Sequence, residues 1–227
     1  MVKSLQFIDE SIFNYLGADD YATFIALTGL CDGIRLNDGV VWAQYNENND
    51  MTAVVATSKN GKSIVFANEN SDKAELEFIV EKNDQTRVDK KYLLKKSVIC
   101  NNSKKGIDRA DYMKIKSLNN DDRDKHNEIV AFKSLLNSMG KCEGAVISNE
   151  NEIISGGFIT FSQKISLITD IYTNDKYRNQ GYGKKIVEKL LNLSKNENVY
   201  LVSKEHNLEF YKKCDFEIAK EIYDYKG

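Results

Sequence analysis

Between residues 165 and 193 the sequence changes its period within about ten positions. Ile165–Thr173 is extended and rich in β-branched residues. Arg178-Asn179-Gln180-Gly181-Tyr182-Gly183 is a short glycine-containing turn, and residues 183–193 repeat their apolar positions at helical spacing. A strand that feeds a helix through such a turn leaves the first-turn N–H groups of the helix without intrahelical partners. The helix dipole adds partial positive charge at the same point, and an anion is the natural partner for both. Gly181 and Gly183 let a ligand approach the backbone closely, and Arg178 adds a full positive charge beside it. These residues predict a cradle for a phosphate or pyrophosphate.

Composition narrows the class of protein around that cradle. A chain of 227 residues suggests one large domain or two small ones, and 41% apolar with 10% aromatic residues is enough for a packed core. The 32 basic and 34 acidic residues nearly cancel and form no long like-charge block, so neither nucleic acid nor an anionic membrane is the expected partner. Asp9 and Glu10 interrupt the apolar pattern of residues 1–17, which argues against a signal peptide or a membrane span there. Cys31, Cys100, Cys142 and Cys214 show no C-x-x-C spacing, and His126 and His206 lie far apart. No metal site is expected, and a reduced, cytoplasmic setting fits best.

Periodicity predicts helices over residues 4–16 and 20–30, then strands over 39–45, 52–57 and 63–67. A helix is expected over 71–80 with Ser71 as its cap, whereas 84–91 is polar and unpatterned. A polar Asn/Ser/Lys cluster at 101–105 marks the expected boundary between an α+β domain of residues 1–103 and a second domain of residues 104–227. In the second, helices are predicted over 108–118 and 124–139. The apolar face of the latter holds Ile129, Val130, Phe132, Leu135, Leu136 and Met139, and Gly140 stops it. Strands follow at 144–148, 153–161 and 165–173. Then come the helix 183–193, a strand at 199–202, a short helix at 207–213 and a closing strand pair or bent strand at 216–225.

A second glycine-bearing segment, from Ala56 to Ser63, is one residue away from a P-loop, with Ala56 in place of its first glycine. A P-loop must lead into a helix. Here Ser63-Ile64-Val65-Phe66 is strand-like, and Asn60-Gly61 is a hairpin signal because both residues tolerate positive φ. A nucleotide site built on Lys62 is therefore the weakest reading. Trp42 and Tyr45 are expected in the core rather than in a substrate groove, and Cys214 is expected to pack inside.

The order of elements around Tyr172 to Gly183, followed by Phe210-Tyr211-Lys212-Lys213-Cys214-Asp215-Phe216, resembles the GNAT superfamily of acetyl-CoA-dependent N-acyltransferases. The resemblance covers roughly the last 120 residues. It implies a mixed α+β fold with a central, mostly antiparallel, splayed sheet flanked by helices, accompanied by a smaller α+β N-terminal domain. In that reading Ile171, Tyr172 and Thr173 hold the pantetheine arm of acetyl-CoA by strand-like pairing. Arg178 and the main chain of Asn179, Gln180, Gly181, Tyr182, Gly183 and Lys184 take the pyrophosphate. Tyr211 matches the family's general acid, which protonates the departing thiolate.

Asp170, on the same strand, is the candidate base; its alternative is a solvated or hydrogen-bonded strand carboxylate. Leu167 stands where some relatives carry a glutamate base, so a water relay or an amine that binds neutral remains open. Asp215 replaces the glycine of the second motif, a change that a left-handed helix end tolerates. Lys204 replaces a frequent asparagine, and Asn207 stands one turn before Tyr211 as a cofactor contact or helix cap. His206 reads as a surface or capping residue.

The N-terminal domain is similar to a degenerate first half of the same fold and contains no R-x-x-G-x-G, so no cofactor is expected there. The implied activity is direct acetyl transfer in a ternary complex to a primary amine, carried by a small molecule or a peptide. A non-catalytic acyl-CoA-binding sensor is the alternative.

Overall fold

The computed structural model describes residues 1–5, 10–28, 40–57, 63–80, 86–100, 123–150 and 152–226. Two compact units are formed, one by Met1–Leu93 with Lys220–Gly227 and one by Leu94–Ala219. The boundary expected at residue 103, the turn at Asn60-Gly61 and the helix expected over 108–118 lie outside the described residues.

The first unit contains an antiparallel sheet of β1 (Val2–Leu5), β2 (Val40–Tyr45), β3 (Met51–Thr57) and β4 (Ser63–Ala67), in that order. Ser4 and Leu5 pair with Trp42 and Val41 rather than opening a helix, which corrects the expectation for residues 4–16. The open edge of β2 offers these residues a ladder of hydrogen bonds that outweighs a weak helical preference. Helix α1 (Glu10–Thr28) bends at Gly17, where φ is 70° and ψ 173°, so the two expected helices are the arms of one interrupted rod. Its second arm buries Tyr21, Phe24 and Ile25. Thr57 pairs with Ser63 in an antiparallel register, and residues 63–67 are strand. Lys62 therefore leads into no helix, and the P-loop reading fails on its own criterion.

Helix α2 (Lys73–Val80) is capped by Asp72, not Ser71: Asp72 Oδ1 accepts from the amides of Ala74 at 3.0 Å and Glu75 at 3.3 Å. The Ser71 hydroxyl instead donates to the Asn68 carbonyl at 2.8 Å. Trp42 packs against the buried Ala53, Val55 and Leu76 from the edge of that cluster, and both Trp42 and Tyr45 are half-buried rather than fully in the core.

The larger sheet has the order β10-β5-β9-β8-β7-β6. Its strands are β5 (Thr86–Ser97), β6 (Cys142–Ser148), β7 (Ile153–Ser162), β8 (Ile165–Thr173), β9 (Asn198–Lys204) and β10 (Glu217–Lys226). β5 runs through the segment read as polar and unpatterned. Tyr92, Leu93 and Leu94 are its buried residues, and the lysines around them mask the strand period. β6, β7 and β8 pair antiparallel, whereas β8 and β9 are parallel.

Among the described residues the second unit has the helices α3 (Arg123–Ser138), α4 (Tyr182–Asn192) and α5 (Leu208–Lys212). α3 ends at Gly140, whose φ is 68°, with the Lys141 amide donating back to the Leu136 carbonyl at 2.7 Å. Its orientation differs from the expected apolar face: Leu136 is buried, but Leu135 and Met139 are half exposed, and Lys133 is buried at 8% exposure. α4 packs on β6, β7 and β8 through Ile186, Val187 and Leu190. At about 1.5–3 kcal/mol for each buried side chain, this contact holds the start of α4 at the end of β8. No helix among the described residues is long and apolar enough to cross a membrane.

Candidate active site

The site begins with an irregularity in β8. Thr169 pairs with Phe158, and the next pair is Tyr172 with Gly156, so Asp170 and Ile171 together face Gly157. That is a β-bulge, and Asp170 occupies it in a left-handed conformation with φ 54°. Gly157 leaves the necessary room: a Cβ there would lie 2.9 Å from Leu190 Cδ1 and 3.4 Å from Ile171 Cγ1. On the other side of β8 the parallel ladder runs from Ile165 with Asn198 to Ile168 with Leu201, and ends there. Residues 169–173 carry no ladder partner on β9, which opens the strand edge just where the bulge falls. Ser155 pins the end of the strand by donating to the Tyr172 carbonyl at 2.6 Å and pairing with Thr173 Oγ1 at 2.9 Å.

Beyond β8 a single 3-10 turn, Asp175–Tyr177, leads to α4. Asn174 caps it, its side-chain oxygen accepting from the Lys176 amide at 3.2 Å. Glu152 ties the turn down from the β6–β7 connection. It accepts from the Tyr177 hydroxyl at 2.8 Å and from Asn174 Nδ2 at 3.2 Å. That hydrogen bond to a carboxylate is the main reason the Tyr177 phenol is pushed above its ordinary pKa. Arg178 lies back over the turn, with Nη2 2.7 Å from Asp175 Oδ1 and Nε donating to the Thr173 carbonyl at 3.3 Å. Asn179 then takes φ 62° and Gly181 φ 83°.

Gly181 is the N-cap of α4, and no side chain caps the helix. The first turn holds no acidic residue and includes Lys184. Its amides and its dipole are thus offered to a ligand rather than to the protein.

Across the cleft, a 3-10 turn at Glu205–Asn207 precedes α5. Asn207 makes no side-chain capping bond, so its alternative as a helix cap is not what the structure shows. Tyr211 packs edge-on against Phe210, with centroids 4.9 Å apart, and against Phe216 at 6.1 Å. Burial, with a smaller effect of Cys214, pushes its phenol up to about 12. Its hydroxyl makes no hydrogen bond to any described residue. α5 ends at Asp215 with φ 61°, the left-handed position the sequence requires there. Lys96 holds that end, its ammonium donating to the Cys214 carbonyl at 2.7 Å and lying 3.1 Å from Asp215 Oδ2. Cys214 itself is buried, and burial raises its thiol.

These parts enclose one cleft of about 680 Å³. Ile171, Tyr172 and Thr173 form one wall, and Arg178, Asn179, Gly181, Gly183 and Lys184 form the floor. Asn207 and Tyr211 face them. Three sequence-predicted residues lie elsewhere. Gln180 donates to the Lys176 carbonyl at 3.1 Å, and Tyr182 stacks edge-on with Tyr177. Asp170 Oδ2 lies 2.6 Å from the Lys133 ammonium.

Sequence reading missed Tyr177, His206, Phe210 and Lys213, which also line the cleft, as does Cys214, which it assigned to the core alone. Only Lys213, adjacent to the Tyr211 element, carried a usable signal, namely a cation beside an anion site. Among the described residues, no group of three or more His, Cys, Asp or Glu side chains is arranged to hold a metal ion.

Residues 141–218, which span β6 to the start of β10, match the family model of the acetyltransferase (GNAT) domain. Over the whole chain the fold is similar to that of an acetyltransferase of the GNAT family from Colwellia psychrerythraea, at 10% identity and a TM-score of 0.56, with 100% of this chain and 99% of that one covered. It is also similar to a GCN5-related N-acetyltransferase from Sphaerobacter thermophilus, at 8% identity and a TM-score of 0.56, with 99% and 94% covered. No curated protein sequence matches the chain. The fold is therefore that of GNAT acetyltransferases, the likeness takes in residues 1–93 as well, and the segment carrying the cleft is the one that matches the acetyltransferase domain model.

Proposed function

We propose that the chain is an N-acetyltransferase that moves an acetyl group from acetyl-CoA to a primary amine by direct transfer in a ternary complex. The observation that carries this reading is the cleft onto which the end of β8 beyond its β9 ladder, the uncapped start of α4 and Tyr211 converge. Its size suits a nucleotide-bearing ligand of extended shape. Bound acetyl-CoA supplies the activated acyl thioester.

The chain's residues would divide the work as follows. The amides of Gly183 and Lys184 take the pyrophosphate, with the Arg178, Lys184 and Lys213 charges around it. Ile171, Tyr172 and Thr173 align the pantetheine arm along the open strand edge, and a backbone N–H at the bulge faces the acyl oxygen as it gains charge. As the new N–C bond forms and the C–S bond breaks, Tyr211 Oη gives its proton to the sulfur and recovers one from solvent. A water takes the proton that the amine releases; Asp170, paired with Lys133 and not among the residues lining the cleft, is the base only in the alternative reading. A phenol held near 12 is almost wholly protonated at neutral pH, as a proton donor must be. The amine is carried by a small molecule or a peptide; the nearly balanced charge gives no long-range steering toward a polyion.

An amine panel with acetyl-CoA, read as free thiol released, tests the reaction. Thiol release dependent on one class of amine supports it. Tight acetyl-CoA binding without turnover on any amine would leave a sensor instead.

A further inference from the structure

Lys133 is buried on α3, on the side of the helix that also buries Leu136, while Ser134 and Leu135 beside it are exposed. Its ammonium lies 2.6 Å from Asp170 Oδ2, donates to Thr169 Oγ1 and sits 4.8 Å from the centroid of the Phe158 ring. Those three contacts share one place. Phe158 and Thr169 are the last regular pair before the bulge, and Asp170 is the left-handed residue within it. One residue further back, at Ile168, β8 parts from β9.

We propose that Lys133 is a positioning residue that clamps the bulge, fixing the left-handed turn at Asp170 and so the width of the gap between β8 and β9. Lys133 lies outside the residues that match the family model. Burying an ammonium is costly unless it is paired, and a left-handed Asp is strained unless its surroundings hold it. Each partner here removes the other's cost. The proposal rests on the acetyl-transfer reading for its catalytic consequence. It assigns Asp170 a structural duty beside Lys133, in place of proton abstraction on its own account. It also accounts for a feature the bulge alone does not: the buried charge is directed at the sheet irregularity from a helix outside the described lining of the cleft.

The test uses the full-length chain with Lys133→Met, Asp170→Asn, the double variant, and Lys133→Arg as the conservative control. Amide hydrogen exchange is followed across residues 165–173 and 182–192, and kcat, KM and the acetyl-CoA Kd are measured in parallel. The clamp predicts at least tenfold faster exchange at residues 169–172 in both single variants, with α4 unchanged. It also predicts kcat lowered at least tenfold, acetyl-CoA Kd within about threefold of wild type, and a double variant no worse than the worse single one. Lys133→Arg should recover part of kcat.

If Lys133→Met does not fold, the charge-neutral double variant decides by the same exchange pattern. Exchange at 169–172 that matches wild type in every folded variant overturns the clamp. So does a kcat lost in Asp170→Asn but kept in Lys133→Met, which would make Asp170 a base in its own right. A wild-type chain that neither binds nor turns over acetyl-CoA sinks the transfer reading, while the exchange data still judge the clamp.

Discussion

Gly183 lies against the ring of Phe210, where a Cβ built on the glycine would come within 3.2 Å of Phe210 Cζ and 3.5 Å of Thr173 Oγ1. The start of α4, the end of β8 and the helix that carries Tyr211 therefore meet at one position with no side chain to spare. The proposed cradle and the proposed proton donor meet through this contact.

Gly183→Val should separate them. The added side chain has to displace Phe210 or the strand end, at a cost of about 1–3 kcal/mol for overpacking. Calorimetric titration should show acetyl-CoA affinity reduced at least tenfold, and denaturant unfolding should show the lower stability. Unchanged affinity in a folded variant would mean that the cradle does not depend on this approach.

Tyr211→Phe should remove the proton donor and little else, since the hydroxyl makes no hydrogen bond to any described residue. The expected loss in kcat is on the order of 10²-fold or more, with the acetyl-CoA Kd kept. The phenol's raised pKa also has a stability consequence with a definite sign. Below about pH 10, the ordinary tyrosine value, the phenol is protonated in both states and its contribution is complete. Between there and about 12 only the unfolded chain ionises, so stability falls as pH rises. A Tm series over this window should be flatter for the variant than for wild type.

Glu152→Ala should loosen the turn before α4 without touching the proton donor. Its carboxylate accepts from both Tyr177 and Asn174, and its loss should weaken acetyl-CoA binding in calorimetric titration while leaving kcat at saturation close to wild type. The Tyr177 phenol should also titrate at lower pH than in wild type, because the bond to Glu152 is the main cause of its upward shift. A spectroscopic pH titration compared with Tyr177→Phe reads this directly.

Asp72→Ala should cost about 1 kcal/mol of stability in the first unit by exposing the first-turn amides of α2. Ser71→Ala should cost less, and chemical denaturation of the two variants ranks them.

The parts of this structure that were legible in the sequence are those whose local pattern and tertiary role agree. Ile165–Thr173 is the strand its β-branched run predicts, and α4 begins one residue from the expected place because Gly181 and the apolar stripe mark it. Asp215 was readable as a left-handed helix end because it stands where the second motif has glycine, and Asp visits that conformation more than most residues. The missing parts depend on contacts from distant segments. β5 hides between lysines and shows only as Tyr92, Leu93 and Leu94 once the sheet covers them. β1 is a strand because β2 offers an edge, not because Ser4 and Leu5 prefer one. The bulge at Asp170 is a register shift against β7, and the buried Lys133 meets it from a helix more than thirty residues earlier in the chain, a contact no local pattern announces. A helical wheel instead assigns the buried face of α3 to Leu135 and Met139, which are half exposed.

The account stands most directly on calorimetric titration of the full-length chain with acetyl-CoA, with Gly183→Val as control. It predicts one site per chain, with a dissociation constant on the order of 1 μM to 1 mM and at least tenfold weaker binding in the variant. Heat no greater than dilution with acetyl-CoA and with longer acyl-CoAs, or equal binding by both proteins, would contradict it.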